Sequence, residues 1–298
     1  MKRRDVIALI PALVLLGGGS PVPSLAAGPS SDFLLRVQAL EAVSQGRLGV
    51  HILDTATGVE YGHRADERFL MLSSFKTLAS ALVLHRVDQG LESLERRVSF
   101  ARDELIPWSP ITERHVEQGG LSLAQLCEAA ITTSDNTAAN LILASYGGPA
   151  ALTAYLRQLG DPVTRLDRIE PDLNVRHPDA PLDTTSPRAM VTTLRTLLLG
   201  DALSARSRYL LARWMIDNTT GLKRLRAGLP GSWKIGEKTG TYKADLNDIG
   251  VVWPPGRAPL VVAAYLAESS ADLPAREAVI AGIGTLVRDI ALGALRAD

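Results

Sequence analysis

Three runs decide the fold: Trp233-Lys234-Ile235-Gly236-Glu237-Lys238, Ile249-Gly250-Val251-Val252-Trp253 and Leu260-Val261-Val262-Ala263-Ala264-Tyr265. The first alternates in polarity. The other two are continuously apolar over strand length, and Pro254-Pro255-Gly256 turns the chain between them. Working back to the other end of the chain, Leu48-Gly49-Val50-His51-Ile52-Leu53 reads as a strand. Asp54 to Gly58 turns it into a second, Val59-Glu60-Tyr61-Gly62-His63. From Phe69 to about Leu211 the signals are mostly helical. Strands at both ends with helices between predict one sheet assembled from distant segments. The expectation is an α+β chain: an antiparallel five-stranded sheet with the terminal helices, Ser31–Val43 and Pro274–Leu295, on one face. A helical subdomain, about 66–216, is inserted between sheet portions at about 30–65 and 217–298, with a cleft between the two.

The helical stretch divides at recognisable signals. Lys76 to Gln89 is periodic and stops at Gly90, and Ser122 with Gln125 makes a capping box. Ser134-Asp135-Asn136 opens a helix through Ala144, and Pro149 to Leu159 stops at Gly160. Asp161 to Asp183 has no period, and a loop of that length in a compact domain is usually functional. Thr185 or Ser186 caps the next helix, with Pro187 in its first turn.

Bulk properties exclude several classes. The chain has 298 residues, 46% hydrophobic, which is enough for a sizeable core, and its zero net charge argues against nucleic acid or a charged membrane surface as partner. Five histidines show no metal-binding spacing, so no metal and no cofactor are expected. Cys127 is alone and cannot form an intrachain disulfide. Its setting, Leu126-Cys127-Glu128-Ala129, reads as a buried structural thiol. Residues 1–26 read as an export signal: Lys2, Arg3 and Arg4, an apolar run from Val6 to Leu16 too short to span a bilayer, then Ser24-Leu25-Ala26 as a cleavage site. Arg3-Arg4-Asp5-Val6-Ile7 also suits twin-arginine export. Either route places the remaining 27–298 in the periplasm, off the membrane.

Chemistry gathers in four short segments. Ser73 and Lys76, three residues apart on a helix, share a face. A serine hydroxyl needs a base, and a lysine in a desolvated, cationic site can lose its proton and serve. Ser134-Asp135-Asn136 starts a helix, with Ser134 as a proton relay, Asn136 as an amide donor and Asp135 holding the turn. Lys238-Thr239-Gly240 ends a strand, supplying a charge, a hydroxyl and a position where a ligand can approach the backbone. Glu170-Pro171-Asp172-Leu173-Asn174 sits in the long loop. Each motif alone also fits an ordinary helix cap or strand end.

In that order and spacing the motifs resemble those of the penicillin-recognising serine enzymes, most closely the class A β-lactamases, for which S-x-x-K, S-D-N and K-T-G form the signature set. The resemblance runs from about Phe33 to Leu295. Other matching segments are Asp183-Thr184-Thr185, Asn218-Thr219-Thr220-Gly221 before Arg224, and Asn247-Asp248 before Trp253-Pro254.

The resemblance implies a monomer with a small-molecule β-lactam substrate. Ser73 is the nucleophile, with its proton passing to Lys76 or Glu170. Ser134 is the relay, and Glu170 with Asn174 holds the hydrolytic water. Asn136, Lys238, Thr239, Gly240, Thr241 and Arg224 are the substrate contacts, and Trp108 stands at the rim. Backbone N–H groups of Ser73 and Thr241 would form an oxyanion hole, and Arg168 and Asp183 would pair bidentately across the loop's neck. Leu72 and Tyr242 stand where carbapenem-hydrolysing members carry a disulfide. Penicillins and cephalosporins are the expected substrates. A D,D-peptidase or penicillin-binding esterase, or a non-hydrolytic β-lactam sensor, shares everything but the Glu-x-x-Leu-Asn loop.

Overall fold

The computed structural model describes residues 31–295, and the export segment read at 1–26 lies outside the described residues. In chain order the elements are α1 (Ser31–Ser44), β1 (Arg47–Asp54), β2 (Glu60–His63), β3 (Phe69–Leu70), α2 (Phe75–Asp88), β4 (Arg97–Val98), α3 (Thr112–His115) and β5 (Leu121–Ser122). They continue as α4 (Leu123–Thr132), α5 (Asn136–Ala144), α6 (Pro149–Gln158), β6 (Thr184–Thr185), α7 (Pro187–Leu198), α8 (Ala205–Ile216), β7 (Lys234–Tyr242), β8 (Asp245–Trp253), β9 (Leu260–Ala267) and α9 (Leu273–Ala291).

The main sheet has five antiparallel strands in the order β2-β1-β9-β8-β7, as expected for the α+β class. It joins the two ends of the chain: β1 pairs with β9 from Arg47–Ala267 to Asp54–Leu260. Both faces are covered, which explains the continuously apolar runs. Leu48, Val50, Ile52, Val262, Ala264 and Leu266 point to a core shared with α1 and α9. Val261, Ala263, Tyr265, Ile249 and Val251 point to the opposite core, built with α2, α4, α5 and α7. No helix among the described residues is long and apolar enough to cross a membrane.

Four details differ from the sequence expectation. β7 and β8 extend to Tyr242 and from Asp245, so Lys238-Thr239-Gly240 lies inside the ladder rather than at a strand end. The polar residues there masked a strand whose backbone pairing continues. The periodicity does not mark α8, because Arg206, Arg208 and Arg213 dilute its apolar pattern. The two-residue strands β3 and β6 pair Phe69–Thr185 and Leu70–Thr184, tying the approach to Ser73 to the exit of the long loop. α9 ends at Ala291, short of Leu295, with Gly293 left-handed beyond it.

Asp135 shows why the helical part presents its chemistry as it does. It caps α5, with Oδ1 accepting from Ala138 N (2.8 Å), while Oδ2 accepts from the N–H groups of Ile111 and Thr112 (2.9 Å each). The Thr112 hydroxyl donates to Oδ1 (2.9 Å), and the carboxylate is fully buried. Ser134 is thereby held at φ 63°, a left-handed conformation that non-glycine residues rarely adopt. Asp135→Ala should orphan three buried N–H groups and cost at least about 3 kcal/mol at ~1–3 kcal/mol each. Denaturant unfolding would measure this, and a loss under about 1 kcal/mol would contradict the assigned role.

Candidate active site

A cleft of about 860 Å³ opens where the sheet edge, β7, meets the start of α2, the turn before α5 and the long loop. Ser73, Ser134, Asn136, Glu170, Asn174, Arg224, Thr239, Gly240, Thr241 and Trp108 all line it. The four sequence segments therefore converge on one place. Lys76 and Lys238 are the exceptions: both are completely buried and lie beneath the cleft floor.

Ser73 sits in a 3-10 turn, Leu72–Ser74, that leads directly into α2, with Leu72 at φ 48°. Its hydroxyl donates to Glu170 Oε1 at 3.4 Å. Lys76 Nζ lies 3.2 Å from the same oxygen and donates to Ser134 O (2.9 Å), Ser134 Oγ (3.3 Å) and Asn136 Oδ1 (2.5 Å). Burial pulls the Lys76 ammonium below the usual lysine value, and the Glu170 carboxylate pushes back up.

Glu170 is placed by backbone and side chain together. Asn140, one turn beyond Asn136 on α5, receives Glu170 N on Oδ1 (3.0 Å) and donates to Glu170 O (2.9 Å). The Glu170–Pro171 peptide is cis. Asn174 Nδ2 donates to Glu170 Oε2 (2.6 Å), leaving Oε1 turned toward Ser73. Asn140 was missed in the sequence, and its only signal was its i+4 position from Asn136.

Arg168 and Asp183 do meet at the loop's neck, with Nε to Oδ2 at 2.6 Å. The contact is not bidentate, because Asp183 Oδ1 is occupied by the N–H groups of Asp167 and Arg168 (2.8 and 2.9 Å). Arg168 spends its other nitrogen on Val175 O (2.6 Å). One carboxylate thus ties down three donors across the neck.

On the sheet side, Lys238 Nζ donates to Ser134 Oγ (3.1 Å) and Thr239 O (2.8 Å). Burial, followed by the positive charges of Lys76 and Arg224, pulls its ammonium well below the usual lysine value. Ser134 Oγ therefore lies between two buried ammonium groups. Arg224 is nearly buried and reaches the same strand from behind: it donates to Gly240 O (3.0 Å), Asn247 O (2.8 Å) and Thr241 Oγ1 (2.6 Å). Gly240 must be glycine for packing, since a Cβ there would lie 2.5 Å from Asn247 Oδ1 and 2.7 Å from Leu72 Cβ.

Asn136 donates to Pro107 O (2.8 Å) while accepting from Lys76. Trp108 stands at the rim at φ 65°, 66% exposed, anchored by its indole N–H to Thr133 O (3.1 Å). Cys127 is buried away from the cleft, and burial pushes its thiol up to about 12, so it is chemically inert. Among the described residues no cluster of His, Cys, Asp and Glu could hold a metal ion.

Comparison with known proteins gives one answer. Residues 35–291 match the model of the β-lactamase enzyme family. A β-lactamase of Streptomyces albus G is 46% identical over 260 residues, covering 85% of this chain and 83% of its own. The CTX-M-8 β-lactamase of Citrobacter amalonaticus is 42% identical over 288 residues, covering 96% and 97%. Among solved structures, an ancestral (GNCA) class A β-lactamase is 58% identical with a TM-score of 0.85, over 87% of this chain and 99% of its own. A putative class A β-lactamase, PenP from Rhodopseudomonas palustris, is 54% identical with a TM-score of 0.85, over 89% and 100%. With its sheet order, its cleft and these relatives in agreement, the chain belongs to the class A serine β-lactamases.

Proposed function

We propose that the chain hydrolyses the amide bond of β-lactams, penicillins and cephalosporins, through an acyl-enzyme on Ser73 and thereby confers resistance to them. The observation that carries this reading is the Ser73 hydroxyl aimed at Glu170 Oε1, the oxygen that Lys76 also contacts. The hydroxyl proton leaves into that Glu170–Lys76 pair as Ser73 Oγ attacks the ring carbonyl. Backbone N–H groups of Ser73 and Thr241 receive the oxyanion. Ser134, whose hydroxyl oxygen accepts from both lysine ammoniums, gives its proton to the ring nitrogen as the C–N bond breaks and is reprotonated by Lys76, which thereby returns the proton taken from Ser73.

Hydrolysis of the ester falls to Glu170. With Oε2 held by Asn174, Oε1 is free to take a proton from water once Ser73 is acylated. A D,D-peptidase or a sensor would hold the ester, and Glu170 in this position is what favours hydrolysis. Lys238, from beneath, and Arg224, through Thr241, supply positive potential for the substrate carboxylate, with Thr239 and Thr241 hydroxyls at the surface. Asn136 takes the side-chain amide, and Trp108 closes the rim. The division into a sheet part (about 30–65 and 217–298) and a helical part (about 66–216) puts this cleft at their seam. We assign the working enzyme to the periplasm as a monomer.

Two outcomes test the reading. Glu170→Ala should still be acylated by benzylpenicillin but lose the ester about 10²–10⁴-fold more slowly. Mass spectrometry should then show a persistent adduct on the variant and none on the wild type after minutes. A long-lived adduct on the wild type would point to the peptidase or sensor instead. Because Lys238 is held below the ordinary lysine value of 10.5, its charge is lost early as pH rises. KM for penicillin should therefore climb on the alkaline side. Lys238→Arg, whose guanidinium stays charged, should flatten that climb, and an identical climb in the variant would remove Lys238 from substrate binding.

A further inference from the structure

Behind the cleft wall lies a second acidic group that the reaction does not use. Glu237 on β7 and Asp248 on β8 are both completely buried. Glu237 pairs across the ladder with Gly250, and Thr239 pairs with Asp248, so the two carboxyls are diagonal neighbours on one face of the sheet. Diagonal cross-strand neighbours of this kind are close enough for side chains of this length to meet. All four of their oxygens are informative. Arg226 Nε donates to Glu237 Oε1 at 2.8 Å, and Leu225 N donates to Asp248 Oδ2 at 3.2 Å. Glu237 Oε2 and Asp248 Oδ1 receive nothing from any other group.

Two ionised carboxylates cannot satisfy this arrangement, since each is acceptor-only. No other donor can enter easily either. The Gly221 backbone packs so closely that a Cβ there would lie 2.3 Å from Glu237 Oε1. We propose that Glu237 and Asp248 share one proton, carried by Asp248 and donated to Glu237 Oε2, and that this acid pair positions Lys238, Thr239 and Arg224 for substrate. The proton belongs on Asp248 because Glu237 already takes a charged donor, Arg226 Nε, on Oε1 at 2.8 Å, whereas Asp248 has only the Leu225 backbone N–H. Burial and the Glu237 carboxylate push Asp248 well above the usual aspartate range, in the same sense.

The surrounding charges fit. Arg224 lies on the same side, with Glu277 of α9 3.9 Å away and Arg276 next to it. Lys238 belongs to β7 itself, and Tyr265 of β9 feels Asp248 from the neighbouring strand. With the proton in place, Arg224 faces one anion at the pair rather than two. It is then free to point its guanidinium at Thr241 and Gly240. Without the proton, the strand that carries Lys238-Thr239-Gly240 would rest on two repelling buried charges.

The positioning half rests on the substrate contacts proposed above, whereas the proton itself can be tested without substrate. Asp248→Asn replaces the neutral acid by an amide that donates in the same direction. The infrared spectrum of wild type minus this variant, at neutral pH, should show a protonated-carboxyl C=O band. Asp248 binds its proton more tightly folded than unfolded, so this stabilisation is complete below the ordinary value of 3.8 and declines as pH rises to the folded value. The wild-type Tm should therefore fall relative to Asp248→Asn as pH rises above the ordinary value of 3.8. No band together with a constant Tm difference would overturn the shared proton. Glu237→Gln provides the same infrared test from the other side, because its amide donates to an ionised Asp248 and the band should vanish. Asp248→Leu leaves Glu237 Oε2 without a donor, and KM for benzylpenicillin should rise about tenfold with kcat nearly kept, whereas Asp248→Asn stays near wild type. An unchanged KM in Asp248→Leu would overturn the positioning role.

Discussion

The ammonium of Lys76 is sealed from bulk solvent, and the rest of the site is arranged around that fact. A bare charge in such a place costs several kcal/mol, so it persists only with well-placed acceptors. They come from two separate parts of the chain: Glu170 from the long loop, and Ser134 and Asn136 from the turn that opens α5. Each provider needs its own support. Asp135 fixes the turn, Asn140 fixes Glu170, and Asp183 closes the loop's neck. Convergence of the motifs is thus a consequence of burying one lysine.

The second buried lysine makes the arrangement tighter. Lys238 shares Ser134 Oγ with Lys76, so two like charges are held around one hydroxyl. Their repulsion lowers the proton affinity of Lys238, and burial does so further. A hydroxyl between two such groups is surrounded by proton donors, which suits delivery to a departing nitrogen. Positive charge of this density has to be balanced in the wall behind it. Arg224 and Arg226 add to the load, while Glu237 and Glu277 offset it from behind β7.

The sequence made much of this legible because the motifs carry their own geometry. Three residues on a helix put Ser73 and Lys76 on one face, and a cap-forming Asp135 announced the start of α5. The sheet was legible because burial on both faces writes uninterrupted apolar runs at 249–253 and 260–265. Where polar residues interrupt a buried strand, the apolar run marks only part of it: β8 begins at Asp245, ahead of the run that starts at Ile249, and takes in Asn247 and Asp248. Lys238 stands inside the ladder rather than at a strand end, and its ammonium lies wholly beneath the floor. Asn140 was invisible because its partner is the backbone of a residue 30 positions away.

Those misreadings share one cause. A polar residue in a strand is read as exposed because hydration is the usual way to satisfy it. Here satisfaction comes from across the sheet: Asn247 Nδ2 donates to Met71 O (2.8 Å), and Asn218 Nδ2 to Glu237 O (3.1 Å). The first bond ties β8, the partner of the reactive strand, to the segment just before Ser73, and the second ties β7 itself to the turn before Arg224. A polar interior of this kind is costly if any partner is missing, so it fixes backbone position more sharply than an apolar one would. The nucleophile at the start of α2 and the anion-binding strand β7 come from opposite parts of the chain, 165 positions apart between Ser73 and Lys238. Apolar packing alone would allow the two to slide. The buried asparagine and carboxyl contacts set their register, and the width of the cleft follows from it.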